Sequence, residues 1–314
     1  MNDASGLKIT GRWIVSCRGK KNNVDPRKPY CWLVEKELTS DGKVEDAGVI
    51  FLTNRECPFH CLMCDLWKNT TDETVATGAI PGQIEWALEK MPGIKHIKLY
   101  NSGSFFDQKA IPVEDHKRIA ELLKGFKTVI VESHPVFINE KCLRFRDMLK
   151  TDLQVALGLE IANDEILSKL NKKMTCDDFR NAVFFLGRNM IRTRAFILLK
   201  PPFLSESEGI YQAKKSIDFS LHAGAGYCII IPVRPGNGAM DILEKKGVFT
   251  PPGIKSLEKV LEYGISLRTG RVFADTWDLK LFSKCSKCAD TRIRRINEMN
   301  LNQKTAAPVI CDCE

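Results

Sequence analysis

Short apolar runs rich in β-branched residues alternate with longer segments of helical period between about residues 48 and 270. The runs GVIFLTN (48–54), HIKLYNSG (96–103), TVIVESH (128–134), LQVALGLEI (153–161), TRAFILLKP (193–201) and GYCIIIPVRP (226–235) read as strands. Between them, IPGQIEWALEKM, VEDHKRIAELLKGF, NEKCLRFRDMLK, DDFRNAVFFLGRNM and SEGIYQAKKSIDFSLHAG place apolar residues at helical spacing. Pro81, Glu114, Asp177 and Glu206 fall in or near the first turns of these helices, where proline or an acidic side chain suits a helix start. Strand-then-helix alternation predicts a parallel sheet, and right-handed crossovers let six such units curl into a barrel or three-quarter barrel.

The expected architecture is therefore α/β, a partial (β/α)6 TIM-type barrel over 48–270. It is preceded by an N-terminal extension (1–47) with a turn at SDGK (40–43) and followed by a cysteine-rich C-terminal tail (271–314). An open doubly wound sheet is the alternative, and both place functional residues at the C-terminal ends of strands. Candidates fall there. Cys57, Cys61 and Cys64 follow the first strand and NSGS (101–104) closes the second. Glu160 ends the fourth, Lys200 ends the fifth and RPGNG (234–238) follows the sixth.

Composition narrows the classes. A chain of 314 residues with 44% hydrophobic positions can bury a sizeable core. No run approaches the ~18 apolar residues of a membrane helix, and MNDASGLKIT lacks the apolar stretch of a signal peptide, so a cytoplasmic location without membrane contact is expected. The net charge of +8 permits an anionic partner; charge is densest in CRGKKNNVDPRKP (17–29) and DTRIRRINEM (290–299), which read as solvated surface or as phosphate contacts.

Twelve cysteines in a reducing compartment are not expected to form a disulfide framework. Cys17, Cys31, Cys142, Cys176 and Cys228 are scattered and read as small buried hydrophobes. Cys57, Cys61 and Cys64 are one ligand short of a closed zinc site, whereas a 4Fe-4S cluster held by three thiolates keeps one iron free for a substrate or cofactor. Phe59 and Leu62 would screen such a cluster, and His60 is the nearby group able to act as a fourth ligand. Cys285, Cys288, Cys311 and Cys313 offer four thiolates from two short loops, which suits tetrahedral Zn2+; a second cluster or unligated thiols are the alternatives.

Cys-x3-Cys-x2-Cys just after the first strand of a β/α barrel resembles the signature of the radical S-adenosylmethionine (radical SAM) superfamily. The resemblance implies a 4Fe-4S cluster whose open iron binds the amino and carboxylate groups of S-adenosylmethionine. Reductive cleavage then gives methionine and a 5′-deoxyadenosyl radical that abstracts hydrogen from a substrate. NSGS sits where that family contacts the methionine amino group, which assigns Ser102 and Gly103 to the cofactor. The stretch GLEIANDEILSKLNKKMTCDDF resembles the fourth-strand segment of the branch containing the Elongator catalytic subunit and the methylthiotransferases, and points to Glu160 as a further cofactor contact. AFILLKPPFLSESEG and RPGNGAMDILEKKGVFTPP resemble the archaeosine-synthase radical subunit and its relatives.

Two positions depart from the family pattern. Met63 stands where an aromatic residue usually lies near the adenine, with Trp67 close by, and Ser104 stands where the glycine-rich segment commonly has an acid. The expected activity is that of a radical SAM enzyme with an external electron donor and, by resemblance, a partner subunit. The substrate is either a tRNA nucleoside or a small metabolite held by groups such as Lys200, Arg234 and Asn237. Tyr100 and Cys228 are candidates to quench or relay a radical. A non-catalytic iron-sulfur or zinc module is the reading from another class.

Overall fold

The computed structural model describes residues 8–313, so the first seven residues of the expected N-terminal extension and the last residue of the tail lie outside the described residues. Eight strands form one sheet in chain order. β1 (Cys31–Leu38) and β2 (Val44–Phe51) make an antiparallel hairpin around SDGK, where Gly42 adopts φ +82° and Thr39 N–H donates to Lys43 O at 2.8 Å. Every later pairing is parallel, through β3 (His96–Tyr100), β4 (Thr128–Ser133), β5 (Asp152–Glu160), β6 (Arg192–Leu199), β7 (Tyr227–Pro232) and β8 (Arg271–Ala274). Residues from β1 through β8 line a single chamber, among them Glu35, Lys98, Gly158 and Phe273, so the sheet is curled into a partial barrel. The expected fold class is thus observed.

β2 to β7 are the six strands read from the sequence. The sheet also runs past the boundaries expected at 47/48 and 270/271, because β1 flanks β2 and β8 flanks β7. The helices are α1 (Gly11–Ser16), α2 (Ala79–Leu88), α3 (Asp115–Leu123), α4 (Glu140–Leu149), α5 (Asp164–Lys169), α6 (Cys176–Arg188), α7 (Glu206–His222), α8 (Ala239–Lys245), α9 (Ile254–Leu267) and α10 (Ser286–Asn302). Local chemistry fixes several starts: Thr175 with Asp178 and Ser205 with Glu208 form reciprocal capping boxes at α6 and α7. No helix among the described residues is long and apolar enough to cross a membrane.

The main core joins the sheet to the surrounding helices, with Ile50, Leu99, Val131, Leu157 and Ile197 buried along the strands. A second apolar cluster sits over the strand ends. There Ile14 of α1, Leu62 of the cysteine loop, Ile166 and Leu170 beside α5, and Met240 and Leu243 of α8 pack together. This cluster anchors the loop that carries the first three cysteines. At the open side of the partial barrel, α10 packs against both β1 and β8. Val272 and Ala274 face away from β7, and their backbone groups bond side-chain amides of this segment. Gln303 accepts from Val272 N–H at 3.0 Å and donates to Val272 O at 2.9 Å, while Asn300 does the same for Ala274, at 2.8 Å in each direction. The β8 edge is therefore satisfied without a ninth strand.

Candidate active site

The cysteine loop is held from three sides. Leu62 N–H donates to Leu170 O at 2.9 Å, and Asn171 Nδ2 donates to His60 O at 2.6 Å. From the loop after β7, Asn237 Nδ2 donates to Leu62 O at 2.8 Å and Cys64 O at 3.1 Å, while its Oδ1 accepts from Met240 N–H. Gly238, at φ +88°, has no room for a side chain, since a Cβ there would lie 2.0 Å from Cys17 O. Glu56 pairs with Arg18 at 2.5 Å and Lys21 at 2.8 Å, and the Arg18 guanidinium lies over Trp67. The outcome is that Cys57, Cys61 and Cys64 all face one chamber of about 920 Å³ in the concavity of the sheet.

Burial raises these thiols, Cys57 and Cys64 to about 12 and Cys61 to about 11. They keep their protons until a cation takes their place, so binding a metal here releases protons. Their sulfurs are not gathered to within 4.8 Å of one another, a spacing reached among the described residues by the four tail cysteines. That spread suits separate irons of a cluster better than one ion. Buried Lys172 lies close enough to Cys61 and Cys57 for both to raise its pKa, which places a compensating positive charge beside three thiolates. Fully buried Asn101 leaves both amide atoms without a partner, and its Nδ2 and Cys57 Cβ both lie within 4 Å of the Cβ position of Gly103. The unpaired amide sits beside the first cysteine, behind the part of the chamber wall that Gly103 lines, and a buried polar group without a partner marks a place built for one. The residues present therefore fit an iron-sulfur cluster.

The neighbouring strand ends complete the chamber wall. Ser102 adopts φ +52° and its hydroxyl lies 3.2 Å from Tyr30 Oη. Beneath it, the backbone N–H groups of Asn101, Ser102 and Gly103 all point at the carboxylate of Glu132, that of Asn101 at 2.6 Å. Burial nevertheless pushes Glu132 up to about 7. Glu160, at φ +67° beside a bulge in β5, forms a buried ion pair with Lys172 at 2.5 Å. The carbonyl of Lys172 accepts from His134 Nε2 at 3.1 Å, and His134 Nδ1 accepts from Val136 N–H, so the ring is neutral with its proton on Nε2. Burial agrees, lowering His134 to about 4, and Phe59 stacks on the ring at 4.2 Å.

Of the residues singled out by sequence, Met63, Ser102, Gly103, Glu160, Tyr100, Arg234 and Asn237 share the chamber with the three cysteines. Others lie elsewhere. Trp67 is buried under Arg18, and His60 packs against Gly11 outside the chamber lining. Lys200 bonds Thr250 and Glu206 behind the wall, and Cys228 is fully buried in the core. Arg234 is engaged by Asp275 at 3.2 Å and Asp278 at 3.1 Å. Glu132 and Lys172 escaped the sequence reading, although Glu132 carries the strand-end signal, being the penultimate residue of β4. Deeper in the chamber, Lys98 and Arg194 clasp Glu37; burial alone would raise this carboxyl, but the two cations hold it down at about 2.

In the tail, Cys285 caps the N-terminus of α10 and Cys288 lies in its first turn. Cys285 Sγ is 3.9 Å from Cys311 Sγ, and Cys288 Sγ is 3.7 Å from Cys313 Sγ. Four sulfurs around a tetrahedral zinc at ~2.3 Å lie about 3.8 Å apart, so the spacing fits. Backbone N–H groups of Cys288 and Lys287 aimed at Cys285 lower its thiol to about 7. Arg292 and Arg295, from the basic stretch 290–299, are buried against Glu258 and donate to Val309 O and Ala307 O, which pins the returning chain. Within that stretch Arg294 is the arginine left exposed.

No family model matches the chain. It is 27% identical to an uncharacterised protein of Methanocaldococcus jannaschii, over 94% of this chain and 87% of that protein. It is 28% identical to archaeosine synthase subunit beta of Thermococcus kodakarensis, over 64% of this chain and 65% of that one, just under two thirds of its length. Among solved structures, Methanocaldococcus infernus Elp3 with an N-terminal deletion matches with a TM-score of 0.50 at 18% identity, over 70% of this chain and 58% of that chain. That likeness is one of fold. The branch resemblance drawn from the fourth- and fifth-strand segments thus meets a likeness of fold to Elp3 and a likeness of sequence to archaeosine synthase subunit beta.

Proposed function

We propose that this chain is a radical SAM enzyme in which Cys57, Cys61 and Cys64 hold a 4Fe-4S cluster and Met63, Ser102, Gly103 and Glu160 bind S-adenosylmethionine. The observation that carries the reading is that all seven residues face one chamber. When bound, the cluster supplies the electron that splits S-adenosylmethionine into methionine and a 5′-deoxyadenosyl radical. The chain's own part is placement. Lys172 offsets thiolate charge and fixes Glu160, the loop after β7 braces the cysteine loop through Asn237, and the partial barrel keeps water from the reacting centre. In this reading the segments before residue 48 and after 270 support the barrel, and the four tail cysteines hold zinc.

A tRNA nucleoside is the favoured substrate, supported by the likeness to archaeosine synthase subunit beta, whose name also favours a partner subunit here. A small metabolite is the second reading, favoured by the ionic inner end of the chamber at Lys98, Arg194 and Glu37. The deciding preparation is anaerobic reconstitution of the wild type and a Cys57→Ala, Cys61→Ala, Cys64→Ala variant, with iron, zinc and dithionite-dependent 5′-deoxyadenosine measured. We expect about four irons per chain beyond any zinc, with both iron and cleavage lost in the variant. Equal cleavage by the variant, or no iron in either protein, overturns the reading in favour of a structural module. tRNA binding that weakens steeply with salt supports the nucleoside; cleavage stimulated by a metabolite fraction, without tRNA binding, replaces it.

A further inference from the structure

The chamber wall is uneven at the end that carries the cysteine loop. On the open side of the barrel α10 runs antiparallel to β8, since Gln303 meets Val272 while Asn300 meets Ala274, the last residue of that strand. From Asn300 back to Ser286 the helix therefore continues past the strand end, by roughly 20 Å along its own axis. The four tail cysteines gather at its far end. Lys287, Arg294, Asn297 and Leu301 share one helix face by their spacing. Asn297 and Leu301 line the chamber, so exposed Lys287 and Arg294 prolong its wall outward.

Between β8 and α10, Trp277 stands at the rim. It is 40% exposed, lines the chamber and holds its ring 5.1 Å from that of Phe51. Phe51 meets Tyr30 at 5.6 Å and Tyr100 at 5.8 Å, and Tyr100 meets Phe196 at 6.2 Å. All of these rings line the chamber, so an aromatic track leads from the rim inward. The acids of the rim are answered within the chain, Asp278 by Arg234 and Asp290 by Lys280, each at 3.1 Å. Lys284, Lys287 and Arg294 are exposed and in no salt bridge with a described residue, which leaves the outer wall cationic.

We propose that this rim is the docking surface for a single-stranded RNA segment, with Trp277 stacking on an unpaired base and Lys284, Lys287 and Arg294 contacting the phosphates beside it. Stacked aromatics beside mobile cations suit a flexible polyanion with planar bases. The inference rests on the nucleoside reading given above and adds where the strand lies. A nucleoside enters an enclosed chamber only by leaving its own stack, and a ring waiting at the rim offsets part of that cost.

The test titrates end-labelled bulk tRNA and a labelled uridine dodecamer against the reconstituted wild type over a salt series. The variants are Lys284→Ala, Lys287→Ala, Arg294→Ala combined, then Trp277→Ala and Trp277→Phe singly. A combined Lys117→Ala, Arg118→Ala, Lys124→Ala variant on exposed positions of α3 is the control. Iron, zinc and the thermal midpoint are recorded for each. The combined rim variant should bind at least roughly tenfold more weakly, with a salt slope smaller by about two to three. Trp277→Ala should lose roughly tenfold at unchanged slope, Trp277→Phe should stay near wild type, and the control should match wild type. If the combined rim variant loses zinc, the two Trp277 variants decide. Equal losses in the rim and control variants overturn the inference and leave the nucleoside reading standing. Wild-type binding by the combined rim variant and Trp277→Ala does the same, and marks the rim as a surface for protein instead. A wild type that binds neither RNA overturns both.

Discussion

His116 shows how a single side chain sets acid sensitivity. It lies among Phe105, Phe106 and Phe145, its Nε2 has no partner, and burial lowers it to about 4. The unfolded chain takes up a proton near pH 6.5 and the folded chain does not until about pH 4, so stability falls as pH drops through that window. His116→Phe keeps the ring packing and removes the titration. The variant should lose about 2 kcal/mol less than wild type between pH 7 and pH 5, read by urea denaturation at each pH; parallel curves would contradict the assignment. The chamber shows what single residues reveal before a structure exists. That Ser102, Gly103 and Glu160 lie on the chamber wall was legible, because they stand at the C-terminal ends of strands. Lys172 was not, because in NKKM nothing distinguishes it from its exposed neighbour Lys173, and what marks it, burial against Glu160, is a tertiary fact.

At the scale of elements, hydrophobic period identified β2 to β7 and failed at both edges for physical reasons. β1 reads CWLVEKEL, and its chamber side carries Glu35 and Glu37, which meet Lys98 and Arg194 across the barrel, so the apolar alternation is missing. β8 is only four residues long. α10 buries Arg292 and Arg295 beside Ile296 and Met299, so charge masks its inner face, while Cys285 and Cys288 drew the reading toward a metal loop. The bulge at the end of β5 is equally silent in sequence, yet it is tightly specified. A Cβ on Gly158 would stand 2.5 Å from Glu160 Oε1 and 2.6 Å from Lys172 Nζ. Gly158→Ala should therefore displace that ion pair and cost about 1–3 kcal/mol in a denaturant titration. A variant as stable as wild type, with unaltered S-adenosylmethionine affinity, would show that the pair is not held in place by this contact.

For the molecule as a whole, the tail is the piece that joins distant parts. Its four cysteines fix the start of α10, the arginines of α10 grip α9 and the returning chain, and Asn300 and Leu301 reach the chamber wall. On the proposed assignment of zinc to the tail and iron to the Cys57 loop, Cys311→Ser, Cys313→Ser should abolish zinc binding and lower the thermal midpoint while leaving the iron in place, measured by metal analysis and calorimetry. Loss of iron together with zinc would mean that the two sites are not separable. The amides of Asn300 and Gln303 carry a further consequence. A sheet grows by adding chains wherever a strand leaves its peptide groups unanswered, and β8 would be such a template if α10 were absent. By answering four of those groups from side chains rather than from another strand, α10 ends the sheet. The same helix that bounds the chamber thereby guards the protein against polymerising through its own barrel.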